Sequence, residues 1–198
     1  MFPLVETIKC LDGKLFLLDL HQKRMDRSYQ QSFKSKNTVI ISNCLNELNI
    51  PSQGLYKIRL LYSEAAYHIE YQLYNKRNIQ SIELVESSEL EYSIKKTERS
   101  VFENMVSKSR CDDVIITKGG FLTDASYSNI ILFDGETWVT PENPLLEGVQ
   151  RRNLLDKAIL KIARIHKNDL KKFKKIALIN AMMDFEDRIE LPITAIVI

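Results

Sequence analysis

The sequence predicts an α+β fold with two lobes, and two observations support this prediction. The first ninety or so residues contain short apolar runs bounded by turn residues, with two helical segments among them, which indicates an antiparallel sheet with helices packed on it. The remaining residues show the same mixture of strands and helices, and no internal repeat interrupts either half. We therefore expect an N-terminal lobe over 1–94 and a C-terminal lobe over 95–198.

The N-terminal lobe begins with two predicted strands joined by a tight turn, because Asp12 and Gly13 are residues that such turns favour. Pro51 is expected to end the second of two helices, because proline lacks the backbone N–H that a helix needs. The predicted strands of this lobe are 4–10, 15–20, 54–63, 66–74 and 79–87. The predicted helices are 21–33 and 38–50.

The C-terminal lobe contains the most strongly amphipathic segment of the chain, at 149–165. Leu154, Leu155 and Ile159 recur there at or near helical spacing, which predicts one long helix. A shorter helix is expected over 100–110. The predicted strands of this lobe are 112–118, 129–135, 137–141, 174–183 and 193–198. The stretch FLTDASYSNI, at 121–130, is predicted to be a polar loop between the first two of these strands.

Composition excludes several classes of protein. The 28 basic and 26 acidic residues leave a net charge of +2, and the run KKFKK at 171–175 is typical of a solvated surface, so we expect no nucleic-acid partner. Cys10, Cys44 and Cys111 lack the paired spacing of a zinc site and favour a reducing compartment. No stretch approaches the roughly 18 apolar residues of a membrane span, and the first residues lack signal-peptide features. We therefore expect a soluble cytoplasmic protein without a metal site.

Two polar features stand where predicted strands and helices meet. Asp124 either caps its loop through the neighbouring backbone or keeps a heteroaromatic ring nitrogen protonated, and the local sequence leaves both interpretations open. Gly148 precedes a helix whose first backbone N–H groups have no partner within the helix. That segment is either an ordinary start of a helix or an anion-binding site, which glycine would let an anion approach closely.

A third polar feature lies on the first predicted helix. His21, Arg24 and Ser28 recur at i, i+3 and i+7, so they share one helix face. This face is either an ordinary exposed surface or a set of side chains that reach one ligand.

The order of these pieces resembles the class IV aminotransferases. These pyridoxal-phosphate enzymes of fold type IV include branched-chain and D-amino-acid aminotransferases and 4-amino-4-deoxychorismate lyase. VETIKCLDGKLFLLDLHQKRMDRS resembles the family's opening strand, turn and His-x-x-Arg helix, and YSIKKTERS resembles its lysine segment. GGFLTDASYSNIILFDGETWVTP resembles its Gly-x-x-Thr-Glu-x-x-x-x-Asn segment, and LLEGVQRRNLL resembles its Leu-x-Gly-Ile-Thr-Arg helix start. The resemblance covers nearly the whole chain in the family's order and implies a cofactor site between two lobes.

The resemblance implies a role for each matching residue. Lys95 would form the Schiff base with pyridoxal 5′-phosphate, because Arg99 matches the arginine four residues after the family's lysine. Lys96 is the alternative, and strand alternation would place it on the opposite face. Arg24 matches the arginine that binds the cofactor phosphate, and Asp124 matches the glutamate at the pyridine nitrogen. The resemblance assigns further cofactor contacts to Ser128, Asn129, Gly148, Val149, Gln150, Asn180 and Ala181. Support of the site is expected from His21, Arg99 and Ser126, with Ser126, Ser128 and Asn129 holding the Asp124 carboxylate.

The activity implied by the resemblance is transfer of an amino group to a 2-oxo acid, with Lys95 as the base that moves the Cα proton, in a homodimer. Lyase activity on 4-amino-4-deoxychorismate is an alternative, and a non-catalytic ligand-binding relative is another. The substituted phosphate contacts motivate the second alternative, because Gln150 replaces a threonine and Ala181 lacks a hydroxyl. Asp124 is also shorter than the family's glutamate. The substrate and its stereochemistry stay open at this point.

Overall fold

The computed structural model describes residues 2–46 and 48–198, so residue 47, inside the predicted helix 38–50, lies outside the described residues. The chain forms two compact units. One holds the chain up to Lys76 and the segment Ile94–Glu98, and the other holds Arg77–Ser93 and Arg99–Ile198. These units differ from the expected lobes, 1–94 and 95–198, because the chain enters the second unit at residue 77 and returns briefly to the first.

Both units combine helices with strands, so the predicted α+β class is confirmed. The α-helices in the described part of the chain are α1 (Leu18–Phe33), α2 (Ile41–Asn46), α3 (Ser100–Lys108) and α4 (Val149–Asp156). The strands of the first unit are β1 (Leu4–Leu11), β2 (Lys14–Leu15), β3 (Leu55–Tyr62) and β4 (Tyr67–Leu73). The strands of the second unit are β5 (Ile82–Glu86), β6 (Asp113–Lys118), β7 (Phe121–Ala125), β8 (Asn129–Phe133), β9 (Trp138–Pro141), β10 (Leu160–Ala163), β11 (Lys175–Ile179), β12 (Ile189–Pro192) and β13 (Ile196–Val197).

The sheet of the first unit is antiparallel, with the strand order β2-β1-β3-β4. Successive side chains of a strand point to opposite faces, so Leu4, Glu6 and Ile8 of β1 share one face. Leu4 and Ile8 pack there with Met25 of α1 in a buried core. Glu6 is therefore a charged residue on the face that is otherwise apolar, and it is fully buried.

The sheet of the second unit has the order β10-β9-β8-β7-β6-β5-β13, and β11 pairs with β8 and β12. Strand β5 is parallel to both of its neighbours, and β10 is parallel to β9. Strands β7 and β8 form a hairpin in which Asp124 and Asn129 are opposite each other. This register places two of the predicted site residues side by side.

The long helix predicted over 149–165 is wrong. Helix α4 ends at Asp156, and Ala158 adopts a φ of 55°, in the left-handed region where a right-handed helix cannot continue. The chain then forms β10, with Leu160 opposite Trp138. The apolar residues that produced the helical spacing include Ile162, a β-branched residue that suits a strand at the sheet edge and is 56% exposed there.

Several other boundaries also differ from the prediction. Residues 79–87 were expected in the antiparallel sheet of the first lobe, but β5 pairs with β6 of the second unit, a non-local pairing that no local pattern encodes. Residues 121–125 form β7, so the polar turn is confined to 126–128. Part of the predicted strand 15–20 is instead the first turn of α1. The described helices are all too short or too polar to span a membrane.

Candidate active site

A buried acid in β1 holds the arginine that the resemblance assigns to the cofactor phosphate. Arg24 donates a hydrogen bond from Nε to Oε1 of Glu6 at 2.9 Å and another from Nη2 to Oε2 at 2.6 Å. Nδ1 of His21 lies 2.6 Å from the same Oε2. His21 and Arg24 are both buried, as is Ser28 one turn later, so the helix face that they share is not an exposed surface.

The charges and the burial of this cluster shift the pKa values of Glu6 and His21. Burial alone would raise the pKa of Glu6, but the Arg24 charge and the hydrogen bond from His21 outweigh it and hold this pKa at about 2. Burial lowers the pKa of His21, although the contact with Glu6 opposes the change. A neutral His21 that donates from Nδ1 to Glu6 has an acceptor at Nε2. This Nε2 atom is buried and has no hydrogen-bond partner among the described residues.

The pKa of Glu6 makes this cluster sensitive to acid. Because the pKa of folded Glu6 is lowered from 4.5 to about 2, its contribution is complete above pH 4.5 and is lost as pH falls toward 2. We expect Glu6→Gln to lower the free energy of unfolding by about 3 kcal/mol at pH 7, and this difference from wild type to shrink in that acid range. Denaturant unfolding at a series of pH values measures it.

Glu64→Gln removes an exposed carboxylate of the same unit and serves as the matched control. We expect it to change stability little at any pH, as is usual for surface substitutions. A wild-type advantage over Glu6→Gln that stays constant from pH 7 to pH 2 would contradict the assigned linkage.

The two candidate lysines differ in their surroundings. The carbonyl of Lys95 accepts a hydrogen bond from the backbone N–H of Val5 at 3.1 Å, so its backbone lies beside β1. Lys95 is partly buried, and its charge is one of those that lower the pKa of buried His21. Lys96 pairs with Leu4 through the backbone and exposes its side chain. Of the two lysines, Lys95 is the one whose charge contributes to the pKa of His21 in the Glu6 cluster.

Asp124 lies in β7 with its carboxylate fixed at both oxygens. Asn129 donates from Nδ2 to Oδ1 at 2.7 Å, and the backbone N–H of Leu146 donates to Oδ2 at 2.9 Å. Burial raises the pKa of Asp124 to about 7, against the opposing hydrogen bonds and the charge of Arg151. A carboxyl with this pKa can hold or release a proton near neutral pH.

Helix α4 begins beside this carboxyl. A Cβ atom on Gly148 would stand 1.8 Å from Oδ1 of Asn129, so only glycine leaves room for that side chain. Val149 and Gln150 follow as the first, buried residues of the helix, and Oε1 of Gln150 accepts a hydrogen bond from Asn153 at 3.1 Å. The start of α4 is thus packed directly against the residue that holds Asp124.

Arg151 fixes the same end of α4. It is 2% exposed and donates from Nε to Thr140 at 3.1 Å and from Nη2 to the carbonyl of Pro141 at 2.8 Å. Its Nη1 pairs with Glu147 at 3.1 Å. Arg151 therefore ties the first turn of the helix to the end of β9.

The residues of the turn at 126–128 make different hydrogen bonds from those that were predicted. The hydroxyl of Ser126 donates to the buried Asp113 and not to Asp124. Arg99 donates to the carbonyl of Ser126, and its guanidinium lies 4.4 Å from the ring centroid of Tyr127. The predicted support by Ser126 is therefore wrong for the Asp124 carboxylate, because the side chain of Ser126 points to β6 instead.

Ser128 also makes a different contact. Its Oγ accepts a hydrogen bond from Nδ2 of Asn180 at 3.2 Å, so it does not hold Asp124 either. Oδ1 of Asn180 in turn accepts from the backbone N–H of Met182 at 2.9 Å, which shapes the turn that contains Ala181. Among the predicted holders of Asp124, only Asn129 does so in the described structure.

Three residues that the sequence analysis did not assign complete these clusters: Glu6, Asp113 and Arg151. Each is a charged residue that is almost fully buried. A signal for Glu6 was present, since it interrupts the apolar alternation of Leu4 and Ile8 just before the His21 helix. The contact of Asp124 with the backbone of Leu146 had no signal, because a backbone donor can come from any residue type.

Comparisons with known proteins show which family this chain is similar to. The sequence model of the family described as amino-transferase class IV matches residues 3–186. An uncharacterized protein of Haemophilus influenzae is 33% identical over 186 residues, which cover 92% of this chain and 98% of that protein. A crystal structure from Haemophilus somnus, provisionally assigned as a 4-amino-4-deoxychorismate lyase, has a TM-score of 0.86 at 30% identity and covers 92% of this chain and 97% of its own.

A provisionally assigned amino-acid aminotransferase from Mesorhizobium loti has a TM-score of 0.79 and covers 100% of both chains. At 20% identity it supports the fold alone. The resemblance drawn from the motifs is confirmed by the family match, which extends over most of the sequence. The chain therefore belongs to the class IV aminotransferase family.

Proposed function

We propose that this protein is a pyridoxal-phosphate-dependent enzyme that transfers an amino group from an amino acid to a 2-oxo acid. The observation that carries the proposal is the buried Asp124 carboxyl, fixed by Asn129 and Leu146 and with a pKa of about 7. A buried carboxyl fixed in this way suits the ring nitrogen of a pyridine cofactor, because a carboxylate at that position keeps the nitrogen protonated. Membership of the family supports the same cofactor.

Each unit supplies residues whose chemistry suits pyridoxal 5′-phosphate. Arg24 supplies a cation for the phosphate, already oriented by Glu6 through two hydrogen bonds. The first backbone N–H groups of α4, at Val149 and Gln150, would add donors for an anion. Asp124 supplies the partner for the ring nitrogen, and we propose that Lys95 supplies the amine that bonds to the cofactor.

When bound, the cofactor ring accepts the electrons released at the substrate Cα. Asp124 would hold the proton at the ring nitrogen, and the hydrogen bond from Asn129 keeps the Asp124 carboxylate in one orientation. Lys95 would act as the base that takes the proton from the substrate Cα and later gives it back. His21 and Glu6 keep Arg24 fixed while these steps occur.

Lyase activity on 4-amino-4-deoxychorismate is the second candidate. It is favoured by the Haemophilus somnus structure, which bears that provisional assignment and is 30% identical. A non-catalytic ligand-binding relative is the third candidate, and a protein that takes up cofactor without any turnover would favour it. We further propose that the protein acts in the cytoplasm as a homodimer, as the family resemblance implies.

A cofactor and turnover measurement tests the proposed function. Purified protein incubated with pyridoxal 5′-phosphate is expected to gain an absorbance band near the visible edge that borohydride removes. We then expect amino-group transfer from amino acids to 2-oxo acids to exceed release of 4-aminobenzoate from 4-amino-4-deoxychorismate. The reverse order would assign the lyase activity, and absence of both cofactor uptake and turnover would contradict the proposal. Light scattering on the same preparation tests the dimer.

A further inference from the structure

Tyr127 is the middle residue of the turn at 126–128, and two arginines lie beside its ring. Cζ of Arg99 lies 4.4 Å from the ring centroid, and Cζ of Arg77 lies 5.6 Å from it. An aromatic ring attracts a cation over its face, which gives Tyr127 a contact of its own with each arginine. Tyr127 is 45% exposed, so burial in the core does not hold it in place. We name Arg77, Arg99 and Tyr127 the turn clamp.

Both arginines of the turn clamp are anchored by further contacts within the second unit. Nη1 of Arg77 pairs with the buried Asp113 at 3.0 Å. Nη1 of Arg99 donates a hydrogen bond to the hydroxyl of Tyr92 at 2.6 Å. Because each guanidinium is fixed in this way, the two together give the ring of Tyr127 a defined place to pack.

The backbone of the turn is tied to the same groups. Arg99 donates from Nη2 to the carbonyl of Ser126, and the hydroxyl of Ser126 donates to Asp113. The backbone N–H of Ala125 donates to the carbonyl of Ser128 at 2.9 Å and closes the turn. The turn clamp therefore fixes the backbone of the turn as well as the ring that it holds.

This turn determines how Asn129 meets Asp124. In the described strands, β7 pairs with β8 through Asp124 opposite Asn129, directly beside the turn. The turn of a hairpin sets the register of its strands, and so short a pairing gives that register little other support. The hydrogen bond from Asn129 to Oδ1 of Asp124, at 2.7 Å, therefore depends on the conformation of the turn.

We propose that Tyr127 is a positioning residue for the carboxyl of Asp124. Its ring, held by Arg99 and Arg77, keeps the turn in the conformation in which Asn129 donates to that carboxyl. The role of Tyr127 in catalysis rests on the proposed function, in which Asp124 is the partner of the cofactor ring nitrogen. The positioning itself can be measured without cofactor. The bond from Asn129 opposes the effect of burial on the pKa of Asp124, so its loss raises that pKa further.

The test follows the titration of Asp124 in the cofactor-free protein by NMR of its carboxyl carbon, with Asp124→Asn to assign the signal. The pKa of this carboxyl is about 7 in the wild type. We expect Tyr127→Leu to raise it to about 8, a change equivalent to the loss of one hydrogen bond. Arg151, whose charge lowers the pKa of Asp124, is unchanged in every variant.

Two matched variants control for the ring and for exposure. Tyr127→Phe keeps the ring and loses a hydroxyl that lies 3.5 Å from Glu103, at the limit of a hydrogen bond, so it should keep the wild-type titration. Tyr71→Leu removes a tyrosine of the first unit that is 42% exposed. This variant should also leave the titration of Asp124 unchanged.

Cofactor binding measures the consequence for the candidate site. A carboxyl with a pKa of about 8 is ionised to about a tenth of the wild-type extent at pH 6, but almost fully at pH 9. We therefore expect Tyr127→Leu to bind pyridoxal 5′-phosphate about tenfold more weakly than wild type at pH 6 and about equally at pH 9. Tyr127→Phe should match the wild type at both pH values.

A double-mutant cycle with Arg99→Lys tests whether the turn clamp acts as a unit. Lysine keeps the positive charge but lacks the planar guanidinium that lies beside the ring and bonds to the turn. We expect Arg99→Lys to raise the pKa of Asp124 as Tyr127→Leu does, and the double variant to raise it little further. Additive increases would show that the two residues act separately and would overturn the inference.

The outcomes separate this inference from the proposed function. A wild-type protein that takes up no cofactor contradicts the proposed function, while the titration of Asp124 still tests the turn clamp. An unchanged pKa of Asp124 in Tyr127→Leu overturns the turn clamp alone. Equal increases in Tyr127→Leu and Tyr71→Leu would also overturn it, because they would indicate general loosening of the protein. An increase in Tyr127→Phe as large as that in Tyr127→Leu would show that the ring is not the group that positions the turn.

Discussion

Replacing Lys95 with alanine is expected to reduce turnover by about 10²–10⁴-fold, the range for loss of a general acid–base group. Lys95 is partly buried, and its charge contributes to lowering the pKa of the buried His21 of the Glu6 cluster. The same substitution should abolish the borohydride-sensitive absorbance, because the amine that bonds to the cofactor is gone. Steady-state kinetics and absorbance spectra of the purified variant measure the two effects.

Lys96→Ala is a close control, since it removes the same side chain one residue later. Lys96 contributes its backbone to the pairing with Leu4, which alanine preserves, and its side chain is exposed. We expect this variant to retain turnover and absorbance. Peptide mapping after borohydride treatment of wild type should find the label on Lys95. A label on Lys96, together with activity in Lys95→Ala, would reverse the assignment.

Local patterns predicted those elements whose partners lie nearby or whose apolar runs are unambiguous. The runs in β6, β8, β9 and β11 are short, apolar and flanked by turn or polar residues, and each forms a strand close to its predicted bounds. The helix spacing of His21, Arg24 and Ser28 correctly indicated a common face. These features follow from the periodicity of apolar and polar side chains, which can be read from the sequence alone.

The elements that were missed depend on distant contacts. Leu160 and Ile162 fit a helix and a strand equally well by sequence. They form a strand because Ala158 ends the helix with a left-handed backbone conformation and the residues after it pair with β9. The residue type of Thr123 suits a polar loop, but its hydroxyl donates to the carbonyl of Ile116 at 2.7 Å inside the sheet. Buried polar residues that satisfy one another across strands cannot be distinguished from loop residues by composition.

In the candidate site, too, the sequence indicated some features and missed others. Matching motifs named Arg24, Asp124 and Asn129, whose side chains do lie in two hydrogen-bonded clusters. The motifs gave the wrong partners for Ser126 and Ser128, because hydroxyl groups can bond to any acceptor nearby and the nearest ones come from β6 and from residue 180. Residue type thus indicated where polar groups gather, while their pairing required the three-dimensional register.

Replacing Gly148 with alanine is expected to destabilise the protein by about 3 kcal/mol, from overpacking and from the loss of buried hydrogen bonds. The φ of Gly148 is −70°, so alanine is compatible with its backbone and the effect is one of space. The added Cβ would stand 1.8 Å from Oδ1 and 2.9 Å from Cγ of Asn129. Asn129 cannot move without losing its bonds to Asp124 and to the carbonyl of Leu146.

Gly148→Ala should also change the pKa of Asp124. Because the hydrogen bond from Asn129 lowers the pKa of Asp124 against the effect of burial, its loss is expected to raise that pKa above about 7. The carboxylate would then be ionised over a smaller part of the neutral range, and cofactor affinity should fall most below pH 8. Denaturant unfolding and cofactor titration at pH 6 and pH 9 measure both consequences.

A double-mutant cycle with Asn129→Ser distinguishes this mechanism from damage to α4. Serine is shorter than asparagine and leaves room for the Cβ at residue 148, although it also gives up the bond to Asp124. If the collision with Asn129 is the cause, Gly148→Ala should cost little in the Asn129→Ser background, so the two changes are strongly non-additive. Additive losses would place the effect in the start of the helix, where Val149 and Gln150 are buried. The packing of Gly148 against Asn129 would then not be what fixes the Asp124 carboxyl.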